Sequence, residues 1–201
     1  MVYSASFDNA SQSPGERLFN IDTIATLNQP GFDALAKAWL HQRGDASAPD
    51  ADTFDLLEIG QHLENAMCIQ INGNNRAIYK FVGPAICERL QTDPTGEDFA
   101  ESLKHLPFDA MAAVRMGLSM PVGLHTIYRI TYSSGKHTEN QSLYLPLISA
   151  SGGDHHLLSM QAMGTTIHYK TGSPTSSVVK QTVAANWVDV GSGSPSTPLS
   201  R

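Results

Sequence analysis

Apolar residues near the start of the chain recur at Phe32, Leu35, Ala36, Trp39 and Leu40. This is the i, i+3, i+4, i+7, i+8 stripe of an amphipathic helix, and Gly44 supplies its stop. After a polar loop at 45–52, Leu56, Leu57, Ile59 and Leu63 predict a second helix, with Asp52 placed to cap it. The period then switches to two. Met67, Ile69 and Ile71 share one face of a strand and Cys68 takes the other. Asn72–Gly73–Asn74–Asn75 is a hairpin turn signal, and 76–83 returns as the second strand. Helical signals follow: a short helix opening at Pro84, a second after the turn at 93–96, and a longer one after Pro107 carrying Phe108, Met111, Ala112, Met116 and Leu118. Three strand patterns at 122–132, 141–150 and 155–164 complete the series, joined by turns at 133–140 and 151–154.

Two strands, a group of helices, then three strands imply α+β: a five-stranded antiparallel sheet with helices on one face, plus N-terminal helices. The expected organisation is an N-terminal extension over 1–30, one domain over 31–170 and a partly disordered C-terminal extension over 171–201. The end of that extension is rich in Gly, Ser, Pro and Thr and has little apolar surface to bury. Within it, Val178, Val179, Val183, Trp187 and Val190 make 176–190 too apolar for a tail. That stretch is expected to dock on its own domain or on a second copy, the latter giving a homodimer.

Composition narrows the function. A chain of 201 residues with 13 Lys+Arg against 19 Asp+Glu has net charge −6 and lacks the basic footprint of a nucleic-acid binder. Two cysteines, Cys68 and Cys87, make neither a disulfide framework nor a C-x-x-C pair, which suits a reducing compartment. No apolar run reaches the ~18–20 residues of a membrane span, and the N-terminus lacks a signal-peptide pattern. The expected location is cytoplasmic.

Candidate chemistry is sparse. His155 and His156 adjoin a turn, but neighbours in a strand point to opposite faces, so they do not form one metal site. The eight histidines contain no H-E-x-x-H, and the chain has no G-x-S-x-G, G-x-x-x-x-G-K-[ST] or G-x-G-x-x-G. No catalytic residue and no metal site is expected, and the sequence identifies no cofactor. The reading is that the protein is not an enzyme.

A set of motifs gives a positive indication. Trp39 and Arg43 lie on the first helix, Pro49 in an acidic loop, Tyr79 to Gly83 on an aromatic strand ending in glycine, Asp93-Pro94-Thr95-Gly96 in a turn, and Leu145-Pro146-Leu147 on a strand before a hairpin. In this order and spacing they resemble the single-PAS-domain family widespread in alphaproteobacteria, with Pro94 departing from its pattern. The resemblance covers about 32–163. It implies a non-enzymatic sensory or regulatory module that binds a small ligand or a signalling protein partner, and it supplies no catalytic motif. Some PAS domains carry haem on a histidine near their long helix, and His105 lies immediately before that helix here, so the alternative that the resemblance implies is a haem-bearing redox or gas sensor using His105. On this fold, alternation points Tyr79, Phe81, Tyr128 and Leu145 into the space between sheet and helices, with Met111, Val114 and Met116 from the long helix. Pro146 must sit at a sheet edge or bulge, because it cannot donate to the ladder.

Overall fold

The computed structural model describes residues 19–74, 76–104, 108–131, 137–166, 179–195 and 199. Its strands are β1 (Phe19–Asn20), β2 (Ala66–Ile71), β3 (Ala77–Val82), β4 (Gly123–Thr131), β5 (His137–Leu147), β6 (His155–Thr166) and β7 (Val179–Asp189). They form a single sheet of seven strands in the order β1-β7-β4-β5-β6-β2-β3. Every neighbouring pair is antiparallel except the two-residue β1–β7 pairing. The α+β class and the PAS-like layout are as expected, but the described residues carry seven strands rather than five. The added strands come from outside 31–170. Residues 179–189 dock on their own domain, along the edge of β4, so the boundary drawn at 170 falls inside the sheet. A register shift opposite Ile127 and Tyr128 leaves Val183 as the extra residue and breaks the period of two that would have marked β7 as a strand.

Helical layers cover both faces. On the face here called outer lie a 3-10 turn over Ile21–Leu27, α1 (Pro30–Arg43) and a second 3-10 segment over Leu56–Asn65. Phe32, Leu35 and Trp39 of α1 pack on Leu143, Leu145, Leu158 and Met160, all seven at 0% exposure. On the inner face lie α2 (Pro84–Leu90), α3 (Phe99–Leu103) and α4 (Ala110–Ser119). There Ile86, Phe99 and Val114 pack with Met67, Ile69, Tyr79 and Leu157. The helices between β3 and β4 therefore share one face, as expected, and the N-terminal helices close the other.

The predicted second helix is a kinked 3-10 segment. Gly60 at φ 61° interrupts it, Asp55 rather than Asp52 caps it by accepting the Leu57 N–H at 2.8 Å, and Leu57 is 75% exposed. Asp52 instead accepts from the Ser149 and Ser151 hydroxyls, pinning the loop after α1 to the β5–β6 hairpin.

The motif residues lock the outer layer to the sheet. The Trp39 indole N–H donates to the Pro146 carbonyl at 2.8 Å. The Arg43 guanidinium lies 5.4 Å from the Trp39 ring centroid and donates to the Val190 carbonyl just beyond β7. Pro146 is tolerated because the β4 ladder ends at Leu124 opposite Tyr144, so β5 is locally an edge there. Beyond it the chain around Pro49 takes the place of β4: Ile148 N–H donates to Pro49 and Ala51 N–H to Ile148.

Candidate functional site

The inner sheet face is built in cross-strand rows. One row runs Thr182–Tyr128–Asn140–Met163 across β7, β4, β5 and β6. The next holds Thr126, Ser142 and Gln161, and a third Trp187, Leu124, Tyr144, Ser159 and Met67. Small hydroxyl residues alternate here with rings, so helices resting on the rings leave space above the small ones. That space is a cavity of about 670 Å³ between the sheet and α2–α4, within the ~300–1,000 Å³ of small-molecule sites. Ile86, Phe99, Ala113 and Val114 form its roof. Leu90 and Met163, both lining residues and both more than 40% exposed, mark where it reaches the surface.

Of the residues expected in this space, Tyr79, Val114 and Tyr128 line it. Met111 packs beside the Tyr79 cluster and Met116 beside Trp187, and neither is among the lining residues. Phe81 and Leu145 lie on the outer face. For Phe81 the cause is a β-bulge. Cys68 pairs with Phe81 and Ile69 with Tyr79, so Lys80 is an extra residue and Tyr79 and Phe81 point to opposite faces although two apart. Leu145 keeps the alternation with Leu143 and Leu147 opposite Tyr144, and its face is the one α1 covers. His105 lies outside the described residues.

Among the lining residues that the sequence reading does not name are Asn140, Tyr144, Thr182 and Trp187. Asn140 was assigned to a turn, whereas β5 begins at His137. The period of two through Thr138, Asn140, Ser142 and Tyr144 was the available signal.

The polar groups that the sheet strands bring to the cavity are neutral among the described residues. Tyr79 donates its hydroxyl hydrogen to Ser102 Oγ at 3.0 Å and stacks edge-on against Phe99. Burial pushes its phenol above the ordinary range. Burial does the same to Tyr144, with Tyr128 and Tyr79 adding to it, so these phenols stay protonated at neutral pH. Asn140 is 1% exposed. Its Oδ1 accepts the Gly164 N–H at 3.3 Å, which fixes the amide orientation, and its Nδ2 has no hydrogen-bond partner among the described residues. Gly164 is required for this approach, since a Cβ there would stand 1.6 Å from the Glu139 carbonyl oxygen. Thr182 Oγ1 is likewise buried and without a partner among the described residues. Charge is confined to the helical side: Arg89, Glu97, Asp98 and Glu101 are the charged groups among the described lining residues. Arg89 already donates to Asn65 and Gln161.

The two adjacent histidines make separate contacts. His155 Nδ1 accepts the Ser149 N–H at 3.1 Å. His156 Nε2 faces Lys80 Nζ at 3.3 Å, and since ammonium only donates, the imidazole accepts and is neutral. Burial and Lys80 both hold its pKa below the ordinary value. The Ser149 hydroxyl bonds a carboxylate, not an imidazole, so no nucleophile–base pair is assembled there. Among the described residues no three His, Cys, Asp or Glu side chains gather around a metal position. Cys68 and Cys87 are free thiols, and burial pushes Cys68 up to about 11.

An antiparallel sheet roofed by helices over a hollow defines the class: an α+β module built around an internal cavity. The family model described as a PAS domain matches residues 27–161, and the chain belongs to the PAS domain family. As such it is, in general terms, a sensory or regulatory module. No curated protein matches the chain. The family match ends on β6, so Met163, Thr182 and Trp187 are cavity residues that lie beyond it. No helix among the described residues is long and apolar enough to cross a membrane.

Proposed function

We propose that this PAS domain is a non-catalytic sensory module of bacterial signalling, working in the cytoplasm, that holds a small molecule in its inner cavity and passes occupancy to a partner protein. The observation that carries the reading is the pair of buried, unpartnered donors, Asn140 Nδ2 and Thr182 Oγ1, on the wall of a cavity of ligand size. A buried polar group without a partner is destabilising, and a ligand that bonds it removes that penalty. The closed outer face supports the same choice, because α1 already occupies the surface that a partner would otherwise use. Occupancy biases the fold only through different affinity for two arrangements. β7 is suited to carry such a bias, since it contributes Thr182 and Trp187 to the cavity and is tied through Val190 to Arg43.

Native mass spectrometry of the full chain from cell extract tests this. The expected result is a retained mass that Val114→Phe, which fills the cavity, removes. The chain mass alone, with a melting temperature unmoved by metabolite extract, overturns the proposal. A visible spectrum of the same preparation separates the haem alternative: the described lining residues include no histidine or cysteine to ligate iron, and a Soret band lost in His105→Ala would replace the small-molecule reading by haem. Light scattering checks the separate expectation of a homodimer.

A further inference from the structure

Resting on the ligand-site reading, we infer that the cavity selects an uncharged, largely apolar molecule whose polar end offers a hydrogen-bond acceptor such as a carbonyl oxygen to the sheet, and that it rejects carboxylates and other anions. Three features of the wall point the same way.

Asn140 presents a donor with no partner among the described residues. Its Oδ1 is held by the Gly164 N–H, and Gly164 alone permits that approach, so Nδ2 is the amide group left for a ligand. An amide N–H bonded to a carbonyl completes its bonding, whereas facing a methylene it stays unpaired.

Among the described lining residues the sheet side carries no charge. Thr182, Tyr128, Asn140, Thr126 and Tyr144 supply its polar atoms, and Gln161 at the β6 end is bonded to Arg89. An anion placed against them would be buried without a counter-charge, which is strongly unfavourable. Arg89, the one cation among the described lining residues, is on α2 and engaged with Asn65 and Gln161, and the helical side also carries the carboxylates Glu97, Asp98 and Glu101.

The remaining wall is apolar: Ile86, Phe99, Val114, Leu124 and Leu157 face the same space. Asn140 and Thr182 stand on either side of Tyr128, two strand spacings or about 10 Å apart. An acceptor therefore reaches one or the other, while the hydrocarbon part lies under α4. Thr182 sits on β7, beyond the family match.

The test uses three probes of nearly one shape on the full chain: 5-phenylpentan-2-one, pentylbenzene, in which a methylene replaces the carbonyl, and 4-phenylbutanoate, in which a carboxylate oxygen replaces the terminal methyl. Trp187 lines the cavity and its fluorescence reads occupancy, with Trp39 on the far face as a steady background. The ketone is expected to bind at least tenfold more tightly than the carboxylate at pH 7.5. Asn140→Leu or Thr182→Val is expected to weaken the ketone threefold to tenfold, the worth of one hydrogen bond, and to leave pentylbenzene unchanged. Thr182→Val is nearly isosteric at a half-buried site, and retained pentylbenzene binding shows that either variant is folded. Carboxylate binding equal to that of the ketone, or equal loss of ketone and pentylbenzene in both variants, overturns the inference and leaves the ligand-site reading standing. Failure of all three probes to bind, with no retained molecule in the native spectrum, overturns that reading itself.

Discussion

The two faces of the sheet differ in what their side chains do once buried. On the outer face Leu143, Leu145, Leu158 and Met160 meet Phe32, Leu35 and Trp39 with no accessible surface left. Aliphatic side chains interdigitate with helix residues and leave no void. On the inner face, directly behind them, Tyr128, Tyr144, Thr126 and Asn140 alternate rings with short polar groups, and α4 cannot descend to meet the short ones. One sheet thus carries a packed core on one side and a hollow on the other. The packed side is built mainly of aliphatic side chains, and the Trp39 N–H within it is satisfied by the Pro146 carbonyl. The side left open is made of residues that need partners.

Substitutions test how sharp this division is. Trp39→Ala should have the largest effect. It removes a fully buried ring and the bond to the Pro146 carbonyl, and the expected loss is about 3–5 kcal/mol by urea denaturation. A loss below that of an ordinary surface change would mean that α1 is not a fixed layer. The second comparison sets Leu145→Ala against Leu124→Ala, the same chemistry on opposite faces. Leu145 is fully buried in the packed side and should lose about 2–5 kcal/mol. Leu124 lines the cavity and already lacks contacts on one side, so it should lose less than about 2 kcal/mol. Equal losses would show that the cavity collapses in solution.

A smaller effect concerns pH. His125 and His156 are both buried on the outer face, and both have pKa values held below the ordinary 6.5, by burial first in each case. The unfolded chain therefore binds protons that the folded chain refuses. Their contribution is complete above about pH 6.5 and is lost as pH falls from there toward the lower folded values, by at most about 1.4 kcal/mol per pH unit for each proton. His125→Gln and His156→Gln should each flatten the stability profile between pH 7 and 5. An unchanged slope in both would show that the imidazoles are not held neutral. The phenols of the inner face titrate only in alkali and leave this window untouched. The smallest effect is expected at Leu57, where 75% exposure makes Leu57→Gln neutral within about 0.5 kcal/mol.

Much of the fold was legible because period and punctuation agree locally. α1 follows its apolar stripe to Gly44, β2 and β3 flank the Asn-Gly signal, and α2 starts at Pro84. The reading failed where one residue broke the period. Gly60 turned a predicted helix into a 3-10 segment, the extra Lys80 sent Phe81 outward, and the extra Val183 hid β7. Part of the cavity wall was legible in the same way. Tyr79, Val114 and Tyr128 line the cavity as their patterns implied, whereas Asn140 was hidden because Thr138-Glu139-Asn140 reads as turn chemistry.

The linear chain by itself determined the α+β class, the family and most of the elements, because propensity, periodicity and turn residues act over a few neighbours. Only the tertiary structure decided which face of each strand meets α1 and which meets α4, that residues 179–189 complete the sheet, and that Asn140 ends with its donor toward a hollow. Those outcomes depend on registers between strands far apart in sequence. A single bulge in one of them moves a side chain from one layer to the other.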